Sequence, residues 1–160
     1  MEMIRVLFVC TGNICRSPTA EGVFQSLVAA ERLSDKIEAD SAGIENYHVG
    51  DPPDTRSTQA AFQRGYSLEG LRARRVLPND FKTFDLILAM DSGHAHTLKR
   101  LSPLQYQDKI KLFLDFAPNF TELDVPDPYY GDASGFQTVL DMVEDGARGL
   151  LDHLRRHFDL

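Results

Sequence analysis

The chain has only two cysteines among its 160 residues, Cys10 and Cys15, and both fall in one turn. Thiols this close cannot staple distant loops, so a disulfide framework is excluded and a reducing, cytoplasmic compartment is expected. No segment approaches the roughly 20 consecutive apolar residues that span a bilayer. The opening MEMIRVLFVC holds a short apolar run between a charge pair and a polar turn, without the h-region and cleavage site of a signal peptide. Repeats, linkers and low-complexity tracts are also missing, and 42% hydrophobic content suits one globular domain over residues 1–160. Basic residues are outnumbered, 17 against 24, for a net charge of −7. They are also scattered, so neither nucleic acid nor a membrane is an expected partner. The one basic cluster, Arg72, Arg74 and Arg75, reads as a solvated loop or strand rim. His94 and His96 would diverge on a helix and have no third ligand nearby, so they read as surface residues and no metal is expected.

What the chain does contain is a succession of strand and helix patterns. Residues 6–9 form a continuous apolar run that fits a strand buried on both faces. Ser17-Pro18 reads as an N-cap and first helical residue, followed by Ala20, Val23, Phe24, Leu27 and Val28 at helical spacing. Short strands are expected over residues 37–41, 85–90 and 109–114, and helices over 55–64 and from Asp91-Ser92 toward Arg100. A closing amphipathic helix carries Phe136, Val139, Leu140, Val143, Ala147, Leu150, Leu151, Leu154 and Phe158. Strands alternating with helices argue for a parallel α/β sheet with ligands beyond the carboxyl ends of the strands.

The first strand runs into VLFVCTGNICRSPTAE, and a merely structural turn needs neither a thiol nor a guanidinium. Five residues separate Cys10 from Arg16, so the backbone must wrap, with Gly12 lacking a Cβ and Asn13 tolerating a left-handed conformation. Wrapped amides at a helix start form an anion site of phosphate size. Arg16 adds a fork that can hold two phosphate oxygens. The same positive field favours a thiolate, making Cys10 a candidate nucleophile. The Ser17 hydroxyl could stabilise that sulfur. The loop is not a nucleotide-binding P-loop, because the second glycine and the lysine of G-x-x-x-x-G-K-[ST] are missing.

Phosphoryl transfer to sulfur also needs a proton donor for the departing oxygen and a base for the water that follows. Asp127, between Pro126 and Pro128 in the irregular stretch 115–133, is the best-placed acid. Pro128 keeps it extended, although an Asx-Pro turn alone would also explain it. Tyr129, Tyr130 and Tyr47 could supply apolar walls with wet hydroxyls for an aromatic substrate.

These motifs, with DSAGI, FDLILAMD and DPYYGD, make the chain resemble the low-molecular-weight protein tyrosine phosphatases over nearly its whole length. The resemblance implies a three-layer α/β sandwich around a four-stranded parallel sheet of order 2-1-3-4, with the phosphate-binding loop between strand 1 and helix 1. It implies Cys10 as the nucleophile that becomes a phosphocysteine, Arg16 as the phosphate ligand, and Asp127 as general acid and then base. Thr11, Gly12, Asn13, Ile14, Cys15 and Ser17 would complete the phosphate loop. Asn13 and Ser41 match the pair that supports it, and Ser17 the residue that stabilises the thiolate. Tyr47, Tyr129 and Tyr130 match the walls of the cleft. No cofactor is implied. The expected partners are phosphotyrosine-containing proteins or peptides, with inorganic phosphate as product and inhibitor, for a monomer or weakly self-associating chain. Relatives often carry a histidine in an H-x-A-R pattern, where this chain has Leu71-Arg72-Ala73-Arg74; loop support must then come from elsewhere, and weaker pre-organisation is expected.

Three other readings compete. Arsenate reductases of similar design need later resolving cysteines, and none follows Cys15. Similar protein-arginine phosphatases place threonine where this chain has Ile14 and lack the tyrosine pair. A non-catalytic phosphopeptide-binding module would dispense with the nucleophile or the acid, yet both are present. Cys15 also raises a redox expectation, a reversible disulfide with Cys10 that would protect the nucleophile.

Overall fold

The computed structural model describes residues 2–160. Strands β1 (Ile4–Cys10), β2 (Ile37–Gly43), β3 (Leu86–Ala89) and β4 (Ile110–Leu112) form one parallel sheet of order β2-β1-β3-β4. Helices α1 (Arg16–Ala30), α2 (Thr55–Gln63), α3 (Asp80–Thr83), α4 (Ser92–Leu101) and α5 (Ala133–His157) complete the α/β architecture. The sheet order is the expected one. No helix among the described residues is long and apolar enough to cross a membrane.

The period of two along β1 assigns its side chains to two cores. Ile4, Val6, Phe8 and Cys10 join Val23 and Phe24 of α1 and Val143 and Leu150 of α5. Leu7 and Val9 face the opposite way, with Phe81, Ile87, Leu98 and Ile110. Phe8 anchors the first core, its ring meeting Phe24 edge-on at 5.6 Å and Phe113 at 5.8 Å. Because Cys10 ends a strand buried on both faces, its sulfur emerges from rigid backbone at the carboxyl edge of the sheet.

Several local expectations are corrected. Ser17 is not the N-cap of α1; the cap is Cys15, whose side chain makes no capping bond, and the serine hydroxyl is used elsewhere. The fourth strand is shorter than expected, because the chain tightens into a 3-10 turn over Phe113–Phe116 after Leu112. The single-turn α3 was not expected from the pattern. Within the basic cluster, Arg72 and Arg75 are exposed, but Arg74 is half-buried. It lies between Asp80, at 3.0 Å, and Asp40, at 3.1 Å, and two opposed carboxylates make a part-buried guanidinium tolerable.

The long helix α5 runs against the 3-10 turn so closely that a Cβ at position 149 would overlap the Phe116 carbonyl oxygen. Glycine is required there by contact, since a helix interior would otherwise favour alanine by up to about 1 kcal/mol. Overpacking typically costs roughly 1–3 kcal/mol, so the clash should outweigh the propensity gain. Gly149→Ala is therefore expected to lower the urea unfolding midpoint; an equal or higher midpoint would show that α5 can slide without loss.

Candidate active site

The loop 11–15 joins the buried end of β1 to the start of α1. Its turn depends on Asn13, which sits at φ 60°, the left-handed region that asparagine enters more readily than most residues. The Asn13 side chain then fixes the loop. Its Nδ2 donates to Ser17 Oγ at 2.8 Å and to Ser41 Oγ at 2.9 Å, and its Oδ1 accepts from the Arg74 backbone amide at 3.0 Å. The loop carbonyls are taken from outside: Ile44 N reaches Cys10 O at 3.0 Å, Glu45 N reaches Thr11 O at 2.9 Å, and Asp54 N reaches Ile14 O at 2.8 Å. A Cβ at Gly43 would stand 2.8 Å from the Thr11 carbonyl oxygen, so only glycine lets β2 pass this close behind the loop.

The helices α2, α4 and α5 each begin with an aspartate, Asp54, Asp91 or Asp132, accepting from a first-turn amide. Helix α1 begins without such a side chain. Its first-turn N–H groups and the positive end of its dipole are thus left for an anion held by the loop.

Cys10 is buried, and its Sγ lies 3.0 Å from Ser17 Oγ. Since Ser17 Oγ already accepts from Asn13, its own proton is free to point at the sulfur. Arg16 is also buried. Its Nη1 donates to Asp91 Oδ2 at 2.9 Å and to Val125 O at 3.0 Å, and its Nη2 to Thr11 Oγ1 at 3.3 Å. Burial pushes the Asp91 carboxyl upward, but the His94 amide and the His94 and Arg16 side chains together hold it below its ordinary range. Asp127 stands across the cleft, with Oδ2 3.7 Å from Arg16 Nη2. Its Oδ1 accepts from Tyr129 N at 3.0 Å, so the Asx turn and the placement of the acid are one feature.

Cys10, Arg16, Asp127, Tyr47, Tyr129 and Tyr130 line a single cleft of about 110 Å³. Tyr129 and Tyr130 pack edge-on at 5.0 Å, and Tyr47, also on the cleft, is exposed. A larger apolar hollow of about 550 Å³ lies between Pro52, Phe62, Tyr66 and Leu68, but neither cysteine lines it.

Three residues at the site, Glu21, His48 and Arg56, carry no expectation from the sequence, and a fourth, His94, is placed differently from expectation. Glu21 is buried, accepting from Ser41 Oγ at 2.6 Å and Gln25 Nε2 at 3.1 Å; burial pushes its carboxyl up to about 7, against those bonds. His48 lines the cleft. Arg56 holds the Tyr129 wall, with Cζ 5.3 Å from the ring centroid and Nη2 3.2 Å from the Tyr129 carbonyl oxygen. His94, read above as a surface residue, is instead buried beneath the loop, with Nε2 2.8 Å from Thr11 Oγ1. His96 is exposed as expected. The signal for Glu21 was available: a carboxylate on the apolar face of α1, one helical turn after Ser17. Among the described residues no group of three or more His, Cys, Asp or Glu could hold a metal ion.

The likeness to known proteins extends over the whole of this arrangement. The model of the family "Low molecular weight phosphotyrosine protein phosphatase" matches residues 5–159. The low molecular weight protein-tyrosine-phosphatase YfkJ of Bacillus subtilis is 40% identical, over 99% of this chain and 100% of its own. That of Streptomyces coelicolor is 42% identical, over 97% and 96%. The crystal structure of a protein tyrosine phosphatase from Entamoeba histolytica, with Hepes in its active site, superposes with a TM-score of 0.93 at 40% identity, covering 96% of this chain and 98% of that one. With fold, loop and full-length identity in agreement, the chain belongs to the low molecular weight phosphotyrosine protein phosphatase family.

Proposed function

We propose that the whole chain, residues 1–160, is one phosphatase domain in which Cys10, Arg16 and Asp127 perform the protein-tyrosine-phosphatase reaction of its family. The observation that carries this reading is the meeting of a buried thiol, a tethered guanidinium and a loop carboxyl in one tyrosine-walled cleft. The phosphoryl group of a phosphotyrosine side chain sits in the loop formed by Thr11, Gly12, Asn13, Ile14 and Cys15, against the α1 amides and Arg16. Tyr47, Tyr129 and Tyr130 flank its ring. Cys10 Sγ attacks phosphorus as the P–O bond to the tyrosyl oxygen breaks, and Asp127 delivers a proton to that oxygen. Asp127, now a carboxylate, takes a proton from water, whose oxygen attacks the thiophosphate. Phosphate forms and the electron pair returns to sulfur, where the Ser17 hydroxyl stabilises it. Inorganic phosphate, the product, occupies the same loop and competes with substrate.

Cys15, five residues from Cys10 in the same loop, is the thiol that would protect it. Burial pushes the Cys15 thiol up to about 12, opposed by a bond to Ser57, so it rests protonated and must lose its proton as it attacks. If peroxide converts Cys10 to a sulfenic acid, attack by the Cys15 sulfur forms a disulfide and releases water. Mass spectrometry after mild peroxide should find the linked pair; sulfinic Cys10 with a free Cys15 would reject the role.

For the principal reading, Cys10→Ser should abolish turnover of a phosphotyrosine peptide while retaining phosphate binding. Asp127→Asn should reduce kcat by about 10²–10⁴-fold, and Tyr129→Ala should act mainly by raising KM. A Cys10→Ser variant as active as wild type would sink the assignment, and faster turnover of a phosphoarginine peptide would redirect it.

Behind the loop, Glu21 gives the native state a measurable pH signature. Its carboxyl is raised from 4.5 to about 7 on folding, so between those values the native state binds more protons than the unfolded chain. Its contribution to stability is complete below 4.5 and is lost as the pH rises toward 7. The loss is on the order of 3 kcal/mol. His94, pushed down to about 4 by burial, gives an opposite slope over much of this window, so the difference between variants is the informative quantity. Wild type minus Glu21→Gln stability, from urea unfolding, should fall as pH rises from 4.5 to 7.5; a flat difference would mean that Glu21 is ionised throughout.

A further inference from the structure

Helix α4 begins directly beneath the phosphate loop, and its first turn carries two side chains that reach the same guanidinium. Asp91 Oδ2 accepts from Arg16 Nη1 at 2.9 Å, while Asp91 Oδ1 accepts from the His94 amide at 2.8 Å. From there the His94 ring extends to Thr11 Oγ1, 2.8 Å from Nε2, and Thr11 Oγ1 in turn lies 3.3 Å from Arg16 Nη2. Arg16, Asp91, His94 and Thr11 therefore close a ring.

The protons in this ring follow from the donor-only guanidinium taken together with the Asp91 carboxylate beside the imidazole. Arg16 Nη2 can only donate, so Thr11 Oγ1 accepts from it. The Thr11 hydroxyl proton then has His94 Nε2 as its acceptor. The imidazole then carries its single proton on Nδ1, which lies 3.2 Å from Asp91 Oδ1, a charge contact without hydrogen-bond alignment, and which has no hydrogen-bond partner among the described residues. The opposite tautomer would set a lone pair against the Asp91 carboxylate. Burial favours the neutral ring independently, pushing its pKa down to about 4.

The arrangement decides where Nη2 points. Nη1 is tethered from one side by Asp91 and Val125, but Nη2 has two oxygens within reach, Thr11 Oγ1 at 3.3 Å and Asp127 Oδ2 at 3.7 Å. Without the Thr11 hydroxyl, or with that hydroxyl unsupported, the guanidinium would turn toward Asp127. An incoming phosphate would then have to break a resting ion pair.

We propose that Thr11 and His94 are a positioning pair for Arg16, holding its Nη2 edge on the loop and away from Asp127, so that phosphate is received by a pre-aimed fork. The proposal rests on the reading of Arg16 as the phosphate ligand, and neither partner of the pair touches the reacting atoms as an acid or base.

The test measures inorganic phosphate affinity by calorimetric titration, independently of turnover, together with KM and kcat for a phosphotyrosine peptide. Thr11→Val removes the hydroxyl, and His94→Phe removes the acceptor while keeping a ring. Each should weaken phosphate binding and raise KM about tenfold, with a smaller effect on kcat. Thr11→Ser, which keeps the hydroxyl, should restore most of the affinity. The double variant Thr11→Val/His94→Phe should be no weaker than either single one, because the ring is broken once. In an Asp127→Asn background the Thr11→Val effect on phosphate should shrink, since the competing carboxylate is gone. Unfolding midpoints without phosphate separate these effects from lost packing. Phosphate affinities of both single variants within twofold of wild type would overturn the pair, as would losses that add in the double variant. Arg16→Lys binding phosphate as tightly as wild type would instead overturn the Arg16 reading, and the proposal with it.

Discussion

The side-chain amide of Asn13 is the constraint on which the rest of the site depends. It bonds to Ser17 in α1, to Ser41 in β2 and to the Arg74 backbone, so three segments distant in sequence meet at one group. The left-handed backbone at this residue costs on the order of 1–2 kcal/mol for a typical side chain. Three hydrogen bonds, two of them buried, at about 1 kcal/mol each are enough to hold it. Because Ser17 accepts from Asn13, the direction of the Ser17 hydroxyl toward Cys10 follows from the same interaction. The wrapped loop and the environment of the thiol are therefore consequences of a single amide.

Two carboxyls flank this loop, Glu21 buried and Asp91 half-buried, and they meet opposite fates. Asp91 faces a guanidinium and a backbone amide and is held below its ordinary range, whereas Glu21 faces a hydroxyl and a side-chain amide and is pushed up. Burial raises both; at Asp91 the His94 amide, then the His94 and Arg16 side chains, outweigh it, whereas at Glu21 the Ser41 and Gln25 bonds and the Arg74 charge do not, with Asp40 adding to the rise. The side of the loop that faces phosphate is thus kept firmly charged. The side that faces the core is closed by a carboxyl that can be neutral. On a chain of net charge −7, the uncapped α1 amides are the positive feature left without a carboxylate partner where an anion must be drawn in.

The parallel α/β plan and the placement of Cys10, Arg16, Asp127 and the three tyrosines were legible because each depends on local pattern: apolar runs, a wrapped C-x5-R, a proline-flanked acid; the order of the strands came only with the family resemblance. Asn13 was legible for the same reason, as its left-handed turn is a property of the residue type. What the pattern misjudged were residues whose setting is made by other segments. Ser17 resembles a helix cap, but Asn13 and Cys10 claim its hydroxyl. His94 sits at i,i+2 from His96, and one of the two must leave the surface, but only the approach of the loop above α4 decides which. Arg74 belongs to a charge run, yet Asp40 and Asp80 draw it inward. Strand β4 is brief because the 3-10 turn after it must fit beneath Gly149 of α5, a contact invisible along the chain.

The departure at Leu71 can be understood in these terms. Where relatives place a histidine in H-x-A-R, this chain has a half-buried leucine packed against the core, and the expected loss of loop support does not leave Asn13 short of partners. Its oxygen is satisfied by the Arg74 amide, and its nitrogen by two hydroxyls, one of them backed by Glu21. A backbone amide neither titrates nor rotates away, so support of this kind does not change with pH as an imidazole would. The remaining titratable member is Glu21, whose carboxyl lies near 7. With leucine at position 71, the pH-sensitive element of the support in this chain sits on the first helix, next to the loop that it holds.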